Sequence, residues 1–141
     1  MKKRIASVLS LILVISFVLG TNAFAVTDDL ITVSKDMTWT VVNYLSRSGS
    51  DTFVTASVSS VYPDSGSDNF TRIQVGLKRT PNQPSPDTMI NWGGYYVLYE
   101  GEGSTKVQIL DQYLSTETVR ICFRGNDPDY GANAVVSYSS N

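Results

Sequence analysis

The sequence predicts an all-β fold, an antiparallel β-sandwich of about seven strands, with a small open β-barrel as the alternative. Short runs rich in Val, Thr and Tyr alternate between apolar and polar residues, as half-buried strands do. Turn-forming residues separate these runs at 48–51, 63–68, 101–103 and 125–128. Many short strands with frequent turns are typical of two packed antiparallel sheets.

The first element in chain order is a predicted secretory signal peptide over residues 1–25. Residues 2–4 are Lys-Lys-Arg, the stretch 5–19 carries no charge, and Ala-Phe-Ala at 23–25 is a small-x-small cleavage signal. The uncharged stretch is shorter than the roughly 20 residues that a bilayer-spanning helix needs. We therefore expect one secreted, extracellular domain over 26–141, with no stable membrane insertion after cleavage.

The strands of this domain follow from its alternation patterns. The cleanest is 70–79, where Ile73, Val75 and Leu77 point to one side, and the next is 118–124, with Val119 and Ile121 among its apolar residues. Looser strands are predicted at 37–44, 52–62, 95–100, 106–110 and 134–138, and 27–35 is either an eighth strand or a lead-in.

Two connections can also be predicted. The short glycine-containing gap between 95–100 and 106–110 predicts a β-hairpin. The stretch 80–88 holds three prolines, which cannot donate ladder hydrogen bonds, and we expect it to be a loop that carries the chain from one sheet to the other.

Charge and missing residue types exclude several classes of function. The chain has 11 basic and 13 acidic residues, and loss of the three basic residues at 2–4 leaves 8 against 13, a net charge of −5. This charge excludes a basic nucleic-acid-binding domain and a polybasic membrane anchor. Histidine is absent, which removes the commonest catalytic base and metal ligand. The one cysteine, Cys122, allows no internal disulfide. From the missing catalytic residue types we expect a protein without enzymatic activity, and we expect it to be a monomer.

Aromatic residues form the best candidate binding site, at Trp92, Tyr95, Tyr96 and Tyr99. Strand alternation places Tyr95 and Tyr99 on one face and Tyr96 on the other. Exposed Trp and Tyr rings can stack on sugar rings or anchor a protein partner. The competing interpretation, favoured by the usual burial of tryptophan, is that Trp39 and Trp92 fill the core while the tyrosines cover the sheet.

Two acidic loops are the only candidates for a cofactor. Asp64 and Asp68 lie in one loop and Asp127 and Asp129 in another, and secreted sandwiches can hold Ca²⁺ with loop carboxylates. Neither loop has the Asp-x-Asp-x-Asp-Gly order, and Asp is an ordinary turn former. We therefore expect no cofactor and no metal site, with calcium as the one alternative.

Two other side-chain sets could carry chemistry. Cys122 shares a predicted face with Arg120 and Arg124, whose charges would favour a reactive thiolate, although a lone cysteine in an apolar strand is more often a packed residue. Glu100 and Glu102 flank a turn, where carboxylates could act as an acid–base pair but are ordinarily solvated.

The chain as a whole resembles the small secreted β-sandwich proteins of Gram-positive bacteria. The resemblance lies in the Lys-Lys-Arg start, the Ala-Phe-Ala at 23–25, the strand-rich mature part and the closing strands from Val119 to Tyr138. The chain is also similar to lactococcin-972-type bacteriocins, which are likewise exported, disulfide-free and sandwich-like. No motif aligns residue by residue, so the resemblance transfers no functional residues.

These observations predict a secreted, non-catalytic β-sandwich protein that binds a cell-surface or extracellular partner, either a glycan or a protein. The predicted contact residues are Trp92, Tyr95, Tyr96 and Tyr99. A bacteriocin-like antimicrobial or toxin is one alternative function. A structural component of an extracellular matrix or a spore surface is another.

Overall fold

A computed structural model describes residues 24–64 and 70–140, and it has an all-β fold of eight strands in two antiparallel four-stranded sheets. The strands are Ala25–Val33 (β1), Thr40–Ser46 (β2), Phe53–Pro63 (β3), Arg72–Arg79 (β4), Tyr96–Tyr99 (β5), Thr105–Gln108 (β6), Thr118–Arg124 (β7) and Ala132–Ser140 (β8). Short 3₁₀ turns lie at Lys35–Met37 and Asp111–Tyr113. The predicted all-β sandwich is confirmed, and residues 27–33 of the segment 27–35 belong to the additional strand β1.

The two sheets bury one apolar face of each strand against the other sheet. Sheet I has the order β1-β8-β3-β6, and sheet II has the order β2-β7-β4-β5. Ile73, Val75 and Leu77 of β4 are fully buried, as their alternation predicted. The rings of Phe123 in sheet II and Tyr138 in sheet I lie 6.1 Å apart between centroids, so the core is continuous from one sheet to the other.

The predicted hairpin between 95–100 and 106–110 is wrong. β5 pairs with β4 in sheet II, whereas β6 pairs with β3 in sheet I. The turn between them crosses from one sheet to the other, and it places Leu98 and Val107 in the core from opposite sheets. Gly101 and Gly103 have φ angles of 73° and 82°, a left-handed conformation that glycine adopts without strain.

The predicted crossover role of the proline-rich loop 80–88 is also wrong. β4 and β5 are neighbours in sheet II, so the loop leaves and rejoins the same sheet. It folds back along β4, where Met89 forms a bridge with Lys78 and the Ile90 amide donates to the Leu77 carbonyl oxygen at 2.9 Å. The loop therefore covers part of the outer face of sheet II.

The predicted signal peptide lies almost wholly outside the described residues, which begin at Phe24. Val26, the first residue after the predicted cleavage site, pairs with Tyr138 in the ladder between β1 and β8. No helix within the described residues is long and apolar enough to cross a membrane.

Candidate functional site

Arg124 is the centre of a cluster on the outer face of sheet II. Because Phe123 points into the core, the next residue along β7 points outward. The Arg124 guanidinium carbon lies 4.5 Å from the centroid of the Trp39 ring and 5.2 Å from that of Tyr95. Trp39 directly precedes β2 and Tyr95 directly precedes β5, so the two rings approach Arg124 from different strands. An exposed cation–π contact of this kind contributes about 0.5–1 kcal/mol.

Hydrogen bonds hold the arginine in place between these rings. Gln74 of β4 lies directly opposite Arg124 across the ladder, and its Oε1 accepts a hydrogen bond from Arg124 Nε at 2.7 Å. Gln74 is only 4% exposed, so this acceptor is fixed by the packing around it. Gln74 of β4 and the two aromatic rings therefore position the Arg124 guanidinium group together.

A second arginine belongs to the same cluster. The Asn126 amide lies between Gln74 Nε2, 3.0 Å from one end, and Arg72 Nε, 2.8 Å from the other. Its single oxygen accepts from one of these two donors, depending on the orientation of the amide. Arg72 also lies directly opposite Tyr99 in the ladder between β4 and β5, so both side chains belong to this outer face. We call the surface formed by Trp39, Arg72, Gln74, Tyr95, Tyr99, Arg124 and Asn126 the arginine face.

The proline-rich loop covers another part of the outer face of sheet II, whereas Val41 and Tyr44 of β2 stay exposed on that face. Asp87 of the proline-rich loop lies 3.7 Å from Lys78 Nζ and 3.5 Å from Arg120 Nη2. Cys122 lies beneath the same cover and is fully buried, and its thiol donates to the Gly76 carbonyl oxygen at 3.2 Å. Burial raises the pKa of Cys122 from 9.0 to about 12, although nearby cations and this hydrogen bond oppose the shift. Cys122 is thus a packed residue of β7, and both its burial and the raised pKa disfavour a reactive thiolate.

The four aromatic residues predicted as contact residues do not lie together. Tyr95 and Tyr99 are 45% and 42% exposed on the arginine face. Tyr96 lies on the other side of β5, because it pairs with the inward-facing Val75 and packs half-buried against the core. Its hydroxyl accepts a hydrogen bond from the backbone amide of Gln108 at 3.3 Å, which fixes the ring inside the sandwich.

The two tryptophans do not fill the core, so the competing interpretation of them is wrong. Trp92 is 53% exposed, and its backbone amide donates to the Gln108 carbonyl oxygen at 3.0 Å, next to β6. Trp39 is half-buried on the outside of sheet II, over Arg124. The turn Asn91–Gly94 places Trp92 there because the buried Asn91 side chain accepts from the Leu77 amide at 2.9 Å.

Several residues of the arginine face were not predicted as contact residues. Alternation assigns Arg72, Gln74 and Arg124 to the polar sides of their strands, but it does not bring the two strands together. The signal that was missing is the pairing of β4 with β7, which brings these polar sides together. Trp39 lies in the looser strand predicted at 37–44, and its contact with Arg124 depends on the pairing of β2 with β7, which no local pattern gives.

The acidic loops have structural uses within the described residues. Asp127 Oδ1 accepts backbone hydrogen bonds from Asp129 at 2.7 Å and Tyr130 at 3.2 Å, which is an ordinary Asx turn. Glu100 Oε2 accepts from the Val61 amide at 3.0 Å and so fastens the turn between the sheets. Asp68 lies outside the described residues. Among 24–64 and 70–140, no three His, Cys, Asp or Glu side chains form a group that could hold a metal ion.

Comparisons with known proteins identify no relative. No family model matches the sequence, and no curated protein and no solved structure matches it. The arginine face is therefore the feature on which a functional proposal must rest.

Proposed function

We propose that this chain is a secreted, non-catalytic binding module that holds a polysaccharide on the arginine face. The observation that carries the proposal is the position of Arg124, which lies over the rings of Trp39 and Tyr95 and is hydrogen-bonded to the buried Gln74. Exposed rings are thus combined with polar groups whose positions are fixed before any ligand arrives.

This combination suits a sugar chain. A pyranose ring has an apolar side of C–H groups that can lie on an aromatic ring, and hydroxyl groups around its edge that need hydrogen-bonding partners. Tyr95 and Tyr99 supply half-exposed rings, and the amides and guanidinium groups of the arginine face supply partners at the same surface. A rigid polar site loses little conformational entropy on binding, which favours affinity.

The shape of the molecule favours a chain over a small enclosed ligand. Two open depressions, of about 140 Å³ and about 210 Å³, lie on or beside the described part of sheet I, and residues of β1, β3 and β8 line the smaller one. Small-molecule sites are usually about 300–1,000 Å³. A polysaccharide that lies along an open sheet needs no such cavity, and this is also why we propose a binding protein without catalytic activity.

The test is binding of the purified protein to an array of bacterial and plant polysaccharides. We expect Tyr95→Ala and Tyr99→Ala to reduce binding by about tenfold each, a loss of the size measured when aromatic anchors are truncated. Tyr62→Ala is the matched control, because Tyr62 is 57% exposed on β3, in the other sheet. An empty array, or equal loss in all three variants, would contradict the proposal.

A protein partner and a bacteriocin-like activity are tested in the same series. A pull-down from cell-surface extract that depends on Tyr95, together with an empty array, would replace the polysaccharide by a protein ligand. Growth inhibition of neighbouring bacteria by the purified protein would favour the antimicrobial alternative. Self-assembly into fibres or sheets would favour the structural one.

A further inference from the structure

Resting on the proposed function, we propose that the bound polysaccharide is a polyuronate, a chain whose sugar rings carry carboxylates, and that Arg124 and Arg72 bind these carboxylates. The proposal rests on the juxtaposition of two guanidinium groups, two amides and exposed rings on the arginine face. Arg124 is its centre, and Arg72 adds a second cation linked through Asn126.

The arginine face has more hydrogen-bond donors than acceptors. Each guanidinium group carries five N–H donors and no acceptor, and each side-chain amide carries two N–H donors and one oxygen. The Gln74 oxygen is used by Arg124 Nε, and the Asn126 oxygen serves either Arg72 or Gln74. Within 24–64 and 70–140, the terminal nitrogens of Arg124 donate no hydrogen bond. A site with surplus charged donors selects a ligand that accepts hydrogen bonds and carries negative charge.

No carboxylate of the described residues neutralises this site. Asp87, an exposed residue of the proline-rich loop, pairs with Lys78 and Arg120. Among 24–64 and 70–140, no carboxylate oxygen lies within the 4.0 Å ion-pair distance of Arg124 or Arg72. Within the described residues, the positive charge of the arginine face is therefore not paired with a carboxylate.

The aromatic rings decide between kinds of anionic polymer. Phosphate polymers on a glycerol or ribitol backbone present charge without a pyranose ring in the chain. Tyr95 lies beside Arg124, and Tyr99 lies opposite Arg72. A ligand that contacts both rings and both arginines must therefore present the apolar face of a sugar ring next to each of its negative charges. A polyuronate does this in every residue, and its carboxylate can accept two parallel hydrogen bonds from a guanidinium fork.

The acidic net charge of the chain does not oppose this assignment at short range. The Debye length is about 8 Å at physiological salt, so acidic residues further away than this are largely screened. The local charge of the arginine face then governs the contact. We expect binding to persist at 0.15 M salt and to weaken as salt increases further, because the contact is ionic and partly exposed.

The experiment compares three polymers on the full chain by affinity electrophoresis and calorimetry. Polygalacturonate carries a carboxylate on every ring, its fully methyl-esterified form has the same rings without charge, and inorganic polyphosphate carries charge without rings. We expect the first to bind at least tenfold more tightly than either of the others. We expect Arg124→Gln to remove this preference, and Arg124→Lys to restore it only partly because the planar fork is lost.

Control variants distinguish the loss of a contact with the ligand from the loss of the folded structure. Lys106→Gln removes a cation that lies 4.6 Å from the centroid of the Phe53 ring, on sheet I, and it should leave the preference unchanged. Arg72→Gln is the second test variant, and thermal unfolding of each variant establishes that it folds.

Each outcome decides between the two proposals. Equal binding of polygalacturonate and its ester, with loss on Tyr95→Ala, would overturn the polyuronate and retain the polysaccharide module. Binding of polyphosphate as strongly as polygalacturonate would overturn it in favour of a general anion site. Absence of binding to all three polymers also overturns it, and the polysaccharide array then decides the proposed function independently.

Discussion

Cys122 lies directly opposite Gly76 across the ladder between β7 and β4, and its thiol donates to the Gly76 carbonyl oxygen. Both residues lie on the outer face of sheet II, yet both are buried. The absence of a side chain at Gly76 lets Met89 and Trp39 approach the strand closely. Because Gly76 has no side chain, Met89 and Trp39 can both pack directly against β4.

Substitution of Gly76 by valine is expected to destabilise the protein. A Cβ at Gly76 would lie 3.1 Å from Met89 Cε and Sδ and 3.2 Å from a Trp39 ring carbon, already tighter than ordinary contact. The two further methyl groups of valine would displace these side chains, at a cost of about 1–3 kcal/mol for overpacking. Chemical denaturation measures the loss. Gly76→Ala adds only one methyl group, which the flexible Met89 can partly avoid, so this variant should lose less stability. A loss of stability in Gly76→Val equal to or smaller than that in Gly76→Ala would refute the explanation.

The buried thiol predicts a loss of stability at alkaline pH. Because burial raises the pKa of Cys122 from 9.0 to about 12, the folded state keeps the thiol protonated while the unfolded state ionises above pH 9. The free energy of unfolding should therefore be unaffected by Cys122 below pH 9 and fall between pH 9 and 12 by about 1.4 kcal/mol per pH unit. Cys122→Ala removes this contribution, and the difference between the two stability–pH curves measures it. Parallel curves above pH 9 would show that the thiol is not protected.

Thiol labelling provides an independent test of the same burial. The native protein should not react with a maleimide or an aromatic disulfide reagent at pH 8, because Cys122 has no exposed surface and its thiolate fraction is small. The denatured protein should react fully. Rapid labelling of the native protein would mean that the proline-rich loop opens and exposes β7.

Arg47 is expected to stabilise the fold from a buried position. It is 6% exposed, and its guanidinium donates to the carbonyl oxygens of Leu114 at 3.2 Å and Thr116 at 2.5 Å, and to that of Asp51. Arg47→Met keeps much of the volume and leaves these acceptors without a donor, which should cost about 3 kcal/mol. Thermal unfolding measures the loss, and Lys106→Met, an exposed cation on sheet I, should lose less than about 0.5 kcal/mol. Similar losses in both variants would argue against a specific role for Arg47.

The strands could be predicted from the sequence because alternation of apolar and polar residues indicates which side of a strand faces the core. The runs at 70–79 and 118–124 were placed correctly, since Ile73 and Ile121 each lie in a strict period of two. The connections could not be predicted in the same way. A short glycine turn is compatible with a hairpin and with a crossing between sheets, and only the burial of Leu98 and Val107 from opposite sides distinguishes them.

The candidate site was predicted in part, for a related reason. Alternation separates Tyr95 and Tyr99 from Tyr96, as the structure does, but it does not indicate which of the two sets faces the core. The contact between Arg124 and Tyr95 involves residues 29 positions apart in sequence. It depends on the order of strands in sheet II, which no local pattern encodes.

The pairing of β1 with β8 has a consequence for how this chain acquires its fold. β1 has its ladder partner only in β8, which follows every other strand in sequence. During synthesis, β1 therefore emerges long before the segment that completes its hydrogen bonds, and sheet I lacks one of its two middle strands until the end. A partly synthesised chain therefore cannot form the complete sandwich, and closure of sheet I must wait until β8 has been made.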